Sequence, residues 1–360
     1  MSPTGPATRR ASQRSRAPVF TVGSPRSGTT LLYHMLLSSG GFARYRTETH
    51  VFNAIGPRFG GLHTEADRRQ ALEVWLASGC HELSGLAADE VRSVIERECR
   101  SAGDFLRLIM EAMVKRQGAV RWAETTPAHL LHMREIKAQI PDALFVHVVR
   151  DGRDVAASLA RQGWVRPLAV DRDRPALAAA ASWDWTVRRG RDEGSGVGGD
   201  YIEVKYEALL DEPHQTLRRL GEFMEHPLDW DQIQRVGIGS VGRPNTSFPG
   251  AASSFQGRWR TELSAEDARD VDAMLASTLR SFGYTSDATS RPALASRTLA
   301  YAARFAFRDA LKRRTPLGRR LTDLSFFAPG AMAVTAEKLG GVTGAHGMDG
   351  GAAPSAESAP

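Results

Sequence analysis

Cysteine is scarce in this chain: Cys80 and Cys99, with 18 residues between them, are the only two among 360 residues. No disulfide framework and no cysteine-based metal site can be built from them, and a reducing, cytosolic compartment is the simplest expectation. No run approaches 18 uninterrupted apolar residues, so no membrane-spanning helix is expected. The opening MSPTGPATRRASQRSRAP is basic but has no apolar core; it reads as a disordered leader over residues 1–17, not as a secretory signal. No H-E-x-x-H spacing occurs. His129 and His132 are i, i+3 neighbours without further ligands, so no metal is expected. There is also no basic stripe interleaved with aromatics, which argues against nucleic acid as a partner.

A hydrophobic share of 42% leaves room for a sizeable core without staples. The net charge of +6 points to anionic ligands without saying which.

Strand-like and helix-like stretches alternate along the chain. The run 18–23 reads as a buried strand feeding the helix TTLLYHMLLSS. Helical periodicity dominates 65–117, where Phe105, Leu108, Ile109 and Met113 share one face. AVRWAET (119–125) reads as a short strand, and PAHLLHMREIKAQI as a helix with Pro127 in its first turn. DALFVHVVRD (142–151) has the near-continuous apolar character of a central parallel strand. RDVAASLARQG is a helix, DEGSGVGGD a flexible loop and YIEVKYEAL a late strand. The fold expected is α/β, of the P-loop three-layer type, with a central parallel sheet flanked by helices. A domain over 18–285, a basic helical extension over 286–330 and a disordered tail over 331–360 complete the expected organisation.

The first chemical signal is GSPRSG, residues 23–28, between the first strand and its helix. Two glycines bracketing such a turn let successive N–H groups face one concavity at a helix N-terminus, an oxyanion cradle. Arg26, Ser27, Thr29 and Thr30 add donors. The G-K-[ST] ending of nucleoside-triphosphate loops is missing, since Thr29 stands where the lysine belongs. The second signal is VHVVRDGRDVAASL. Arg150 ends the apolar strand and Ser158 follows roughly 10 Å along the next helix, together a second anion site. By itself each stretch also reads as ordinary structure, a glycine turn or a solvated Arg–Asp cluster.

PRSGTTL, VHVVRDGRDVAASL, VKYEALLDEP and GRWRTELSAED, in this order over roughly 18–285, resemble the sulfotransferases that use 3′-phosphoadenosine 5′-phosphosulfate (PAPS), closest to the tyrosylprotein and bacterial branch. The resemblance implies that Arg26, Ser27, Gly28, Thr29 and Thr30 cradle the 5′-phosphosulfate, with Arg26 also stabilising the departing charge. It implies that Arg150 and Ser158 take the 3′-phosphate, that Tyr206 lies near the adenine or that phosphate, and that Gly257 and Arg258 belong to a closing loop. PAPS would be the sulfuryl donor, with no metal required. The general base falls in YRTETHVF: Glu48, in an E-T context shared with the related branch, is the first choice and His50 the second. Alternatively, Glu48 is a solvated carboxylate paired with Arg44 or Arg46. Related bacterial enzymes carry lysine where WAETTP has Thr125, which could donate one hydrogen bond; Glu124 is either a second acidic group near the acceptor or a strand-end residue facing solvent.

The acceptor, a hydroxyl on a small molecule, glycan or phenol, is not specified by these motifs. Trp122, Trp164, Trp183 and Trp185 are candidates for its pocket walls, with core packing as the default. Two further readings stand beside the transferase: a P-loop-type kinase or nucleotide hydrolase using Asp151 as magnesium carboxylate, and a non-catalytic nucleotide-binding protein. In the basic extension, Arg297, Arg304, Arg308 and Lys312 fall along one side of a helix, which either contacts an anionic membrane surface weakly or is the solvated side of a docked helix.

Overall fold

The computed structural model describes residues 14–239, 241, 256–289 and 291–328. Most of the leader (1–13) and the whole tail 331–360 lie outside the described residues. Five parallel strands form one sheet in the order β2-β3-β1-β4-β5: β1 Val19–Gly23, β2 Phe42–Ala43, β3 Arg121–Glu124, β4 Leu144–Val149 and β5 Tyr201–Lys205. β1 pairs with β4 from Val19↔Leu144 to Gly23↔Val148. Every residue of both strands is buried, as parallel strands covered on two faces require.

The long helices are α1 Thr29–Ser38, α2 Glu65–Leu76, α3 Ala88–Glu98, α4 Ala102–Gln117, α5 Gly152–Gln162, α6 Pro175–Ser195, α7 Pro213–Met224, α8 Ala265–Ser281 and α9 Pro292–Arg314. Their ends follow local chemistry. Ser101 accepts from Asp104 N–H to start α4, and Gly118, with φ 61°, ends it in the left-handed conformation. One apolar cluster joins Phe20, Trp122 and Phe145 to Phe105, Ile109 and Met113 of α4, with Leu108 packed at its margin. A second joins Val19 and Val146 to Leu32 and Leu36 of α1 and Leu217 of α7. A third is formed by α5, α6 and α8 around Trp183. Cys80 and Cys99 are buried free thiols, which burial pushes up to about 11 and so keeps unreactive. Among the described residues no helix is long and apolar enough to cross a membrane.

Several local expectations are corrected. The late strand stops at Lys205, where its partner β4 runs out at Val149, and residues 206–211 turn into a helix rich in Glu, Ala and Leu. The stretch 192–200 is no flexible loop: α6 continues to Ser195 and Gly198–Asp200 is a 3₁₀ turn. Its Gly194 is there for packing, because a Cβ would sit 2.5 Å from the Tyr201 ring. Residues 127–132 are 3₁₀ before the α-helical Met133–Gln139. β2, two residues long, is too short to leave a periodicity. Within the expected leader, Ala17 is buried and its carbonyl accepts from Arg121 Nε at 2.8 Å, so packing begins before residue 18.

α9 lies against α6. Tyr301 is fully buried and donates to Asp171 Oδ2 at 3.0 Å, and Arg297 pairs with the same carboxylate at 3.1 Å. Arg304 donates to the Arg166 carbonyl at 2.9 Å. Two of the four basic residues expected on one solvent side are therefore turned onto the body of the protein, whereas Arg308 is exposed.

Candidate active site

The loops that follow β1, β3 and β4 gather at the carboxyl edge of the sheet, where parallel α/β folds bind ligands. The loop after β1 adopts an uncommon backbone. Arg26 has φ 71° and Gly28 φ 95°, and Ser27 N–H returns to the Ser24 carbonyl at 3.1 Å. At Gly28 a left-handed conformation and a close approach coincide, since a Cβ there would lie 2.2 Å from the Tyr206 ring. The first N–H groups of α1, including those of Thr29 and Thr30, have no intrahelical acceptors and carry the positive end of the helix dipole. Ser27 Oγ is buried with no hydrogen-bond partner in the protein. A buried hydroxyl left unsatisfied beside a helix N-terminus fits a phosphate or phosphosulfate oxygen.

The second stretch expected to bind an anion meets the first. Arg26 Nε donates to Ser158 Oγ at 3.0 Å, and Arg150 approaches the Arg26 carbonyl at 3.4 Å. The Arg150 guanidinium lies 4.7 Å from the centre of the Tyr206 ring, whose edge meets Gly28. One tyrosine thus spaces both cradles. Burial, then the charges of Arg150 and Arg161, lower the proton affinity of Arg26. Positive charge is concentrated here in a way that favours an incoming polyanion.

Two carboxylates missed in the sequence hold this arrangement. Asp154, almost fully buried, accepts from Gly257 N–H and Trp259 N–H, both at 2.9 Å, and lies 3.8 Å from Arg150. Burial pushes its carboxyl above the usual range. Gly257 and Arg258 are thereby fastened to α5, and Glu262 pairs with both Arg258, at 2.7 Å, and Arg161, at 3.1 Å. Glu207 accepts from Asp151 N–H at 3.0 Å and from the Tyr284 hydroxyl at 2.8 Å, fixing the chain where Arg150 leaves β4. The i, i+4 spacing of Arg150 and Asp154 was the available signal for the first; nothing local marks Glu207.

Glu48 lies on the β3 side of the loop. Thr49 anchors it: its N–H donates to Thr126 Oγ1 at 2.9 Å and its hydroxyl to Glu124 Oε1 at 2.8 Å. Glu48 Oε2 pairs with His50 Nε2 at 3.0 Å, not with Arg44 or Arg46. Asn53 Nδ2 donates to His50 Nδ1 at 3.0 Å, so the imidazole proton sits on Nε2 and points at Glu48. His50 itself has φ 49° and precedes a π-helical turn, Val51–Ile55, both uncommon conformations that cluster at functional positions. No direct contact links Glu48 to the arginines among the described residues.

Glu124 neither faces solvent nor stands free for an acceptor. It is buried and takes hydrogen bonds from Thr49, Thr126 and His129. Burial pushes its carboxyl up, but His129 and the two hydroxyls outweigh this and hold it below the usual range. His129 Nε2 accepts from Phe52 N–H at 3.2 Å, which leaves its proton on Nδ1 for Glu124. Thr125 Oγ1 is buried with no partner in the protein. Of the four tryptophans, Trp122 and Trp183 are core and Trp185 packs on Phe305, while the half-exposed Trp164 lies 6.0 Å from Arg26. Both Asp151 oxygens are engaged by Arg153, at 2.9 to 3.0 Å for Oδ1 and 2.7 Å for Oδ2. Among the described residues no three His, Cys, Asp or Glu form a metal-binding group.

The Sulfotransferase family model matches residues 18–232. Protein-tyrosine sulfotransferase A of Caenorhabditis elegans is 26% identical over 216 residues, 59% of this chain and 50% of that protein, so the chain spans about half the length of this curated relative. Among solved structures, the sulfotransferase domain of the Synechococcus PCC 7002 olefin synthase covers 81% of this chain and 95% of its own at 20% identity, with a TM-score of 0.44. Sulfotransferase STF9 of Mycobacterium avium covers 77% and 79% at 16% identity, with a TM-score of 0.43.

Proposed function

For a chain that belongs to the sulfotransferase family, we propose that it transfers the sulfuryl group of PAPS to an acceptor hydroxyl. The observation that carries this reading is the coupling of two anion sites through Arg26, Ser158, Arg150 and Tyr206. One cradle suits a 5′-phosphosulfate and the other a 3′-phosphate, spaced on a single nucleotide. The orphan hydroxyl of Ser27 and the arginine-rich donor set fit that group.

When bound, PAPS supplies the mixed phosphoric–sulfuric anhydride whose sulfuryl group moves, leaving 3′-phosphoadenosine 5′-phosphate. The protein's part is mostly positional and electrostatic. Arg26 and the α1 amides meet the charge that grows on the leaving phosphate, the preorganised term that usually dominates. Arg150 and Ser158 hold the 3′-phosphate, and Gly257 and Arg258, tied down by Asp154, close the nucleotide side. Glu48 takes the acceptor proton. The Nε2–H of His50 occupies Oε2, which orients the carboxylate and leaves Oε1 for that proton. Thr125 Oγ1 offers a hydrogen bond where relatives have a lysine.

A kinase reading would use Asp151 as its metal carboxylate, but Asp151 is committed to Arg153. Calorimetric titration with 3′-phosphoadenosine 5′-phosphate, magnesium-ATP and AMP decides between them. We expect micromolar binding of the bisphosphate and none of AMP; a preference for magnesium-ATP would sink the sulfotransferase reading.

A further inference from the structure

The family match ends at residue 232, yet a segment nearly 100 residues later returns to the candidate base. After α9 the chain turns at Thr315, which caps Pro316–Arg320 through Gly318 N–H at 2.9 Å. Arg58, just beyond the π-helical turn, grips the next carbonyls, those of Arg319 and Arg320. Phe327 is then buried in the apolar cluster that contains Tyr45, Val51 and Phe52. Phe326 packs at its margin, edge-on to Phe327, and its ring centre lies 4.1 Å from that of His50 at 62°. His50 is in turn bonded to Glu48. A phenyl ring, an imidazole and a carboxylate thus stand in one row.

We infer that Phe326 forms a wall of the acceptor site and selects acceptors that carry an apolar group beside the reacting hydroxyl. This rests on the reading of Glu48 as the base. An acceptor oxygen within hydrogen-bond reach of Glu48 brings its neighbouring carbons toward the row that Phe326 ends. A half-buried ring there gains contact area from an apolar neighbour and nothing from a hydrated one. The main chain of the segment is held by Arg58 and its core by Phe327, so Phe326 is presented by a fixed support.

The test uses the full chain saturated with 3′-phosphoadenosine 5′-phosphate, 4-fluorophenylalanine at position 326 and two probes, 2-naphthol and methyl glucoside. Naphthol is expected to shift the fluorine resonance and the His50 ring signals with one common affinity, and methyl glucoside neither. Phe326→Ala should weaken naphthol binding about tenfold, with bisphosphate affinity held within about twofold. Phe326→Leu, which keeps apolar bulk, should restore part of the loss. Ile95→Ala, in the same apolar cluster but on α3, provides the structural contrast, lowering thermal stability without altering the ratio of the two probes. Equal naphthol affinity in wild type and Phe326→Ala, or tighter binding of both probes in the variant, would overturn the inference; in the second case the segment is an obstruction. If wild type fails to bind the bisphosphate at all, the sulfotransferase reading falls and the inference with it.

Discussion

Arg26, at the tip of the loop after β1, donates to Ser158, two turns into α5, across 132 residues of sequence. Two stretches that each pass for ordinary structure are one site because of this contact and its neighbours.

Loss of the second anion site should therefore be specific to the 3′-phosphate. We expect Arg150→Ala to weaken 3′-phosphoadenosine 5′-phosphate by roughly 10- to 100-fold, the worth of a charge-assisted hydrogen bond, and Ser158→Ala by less. Titration of both variants with the bisphosphate and with AMP checks this. AMP serves as the blank, and a loss accompanied by a lowered unfolding midpoint would mean a folding defect.

Asp154 acts at one remove, on Arg150 and on the closing loop. Asparagine offers one acceptor oxygen for two N–H donors, so Asp154→Asn should loosen Gly257 and Trp259 together. Hydrogen exchange at those two amides is expected to rise while the exchange of β1 and β4 stays unchanged. Bisphosphate affinity should fall about tenfold, in line with one lost hydrogen bond to a charged group. Protected amides in the variant would remove Asp154 from this role.

Gly28 tests the geometry of the cradle. Gly28→Ala places a methyl group into the Tyr206 ring and a side chain at φ 95°. A cost of about 1–3 kcal/mol in stability is expected from backbone strain and overpacking, measurable by urea unfolding. Tyr206→Ala in the same background should recover part of it, because the clash is with that ring.

Glu48→Gln should lower transfer about 10²- to 10⁴-fold, the range for a general base, with bisphosphate binding unaffected. His50→Gln, which can still donate to Glu48, should cost far less. Equal losses would make His50 the base.

Acid should destabilise the fold before it touches the carboxylates. His34, His132, His147 and His226 are each lowered to about 4, by burial first. Below about pH 6.5 the unfolded chain takes up protons at these positions and the folded chain does not. Stability is thus fully present above that pH, and it falls as pH drops toward 4. The slope reaches about 1.4 kcal/mol per pH unit for each histidine. Urea midpoints at pH 7.5, 6 and 5 measure it, and His147→Gln should remove about a quarter of the slope.

The central strands and the two stretches that meet at the sheet edge were legible because their signals are local: GSPRSG and VVRDGRDVAASL are each contained in a few residues. The fate of Glu124 was not, since a glutamate at a strand end looks alike whether it meets water or Thr49, Thr126 and His129. Asp154 belongs to the same class. Its charge is visible in sequence, but its partners Gly257 and Trp259 lie more than 100 residues away and are chosen by packing. The stretch 192–200 misled because its glycines serve close approach to other elements, which a composition rule reads as freedom.

Phe327 lies in the same cluster as Tyr45, about 280 residues earlier in the chain, and Tyr301 is buried in the cluster around α6. Contacts of such sequence separation form late, because loop-closure entropy must be overcome before they contribute. The sheet and the nucleotide side can therefore assemble first, while the cover over Glu48 and His50 arrives in a slower phase. During refolding, recovery of bisphosphate binding should precede burial of the last aromatic residues, and the protein should pass through a state that holds a nucleotide before it can discriminate an acceptor.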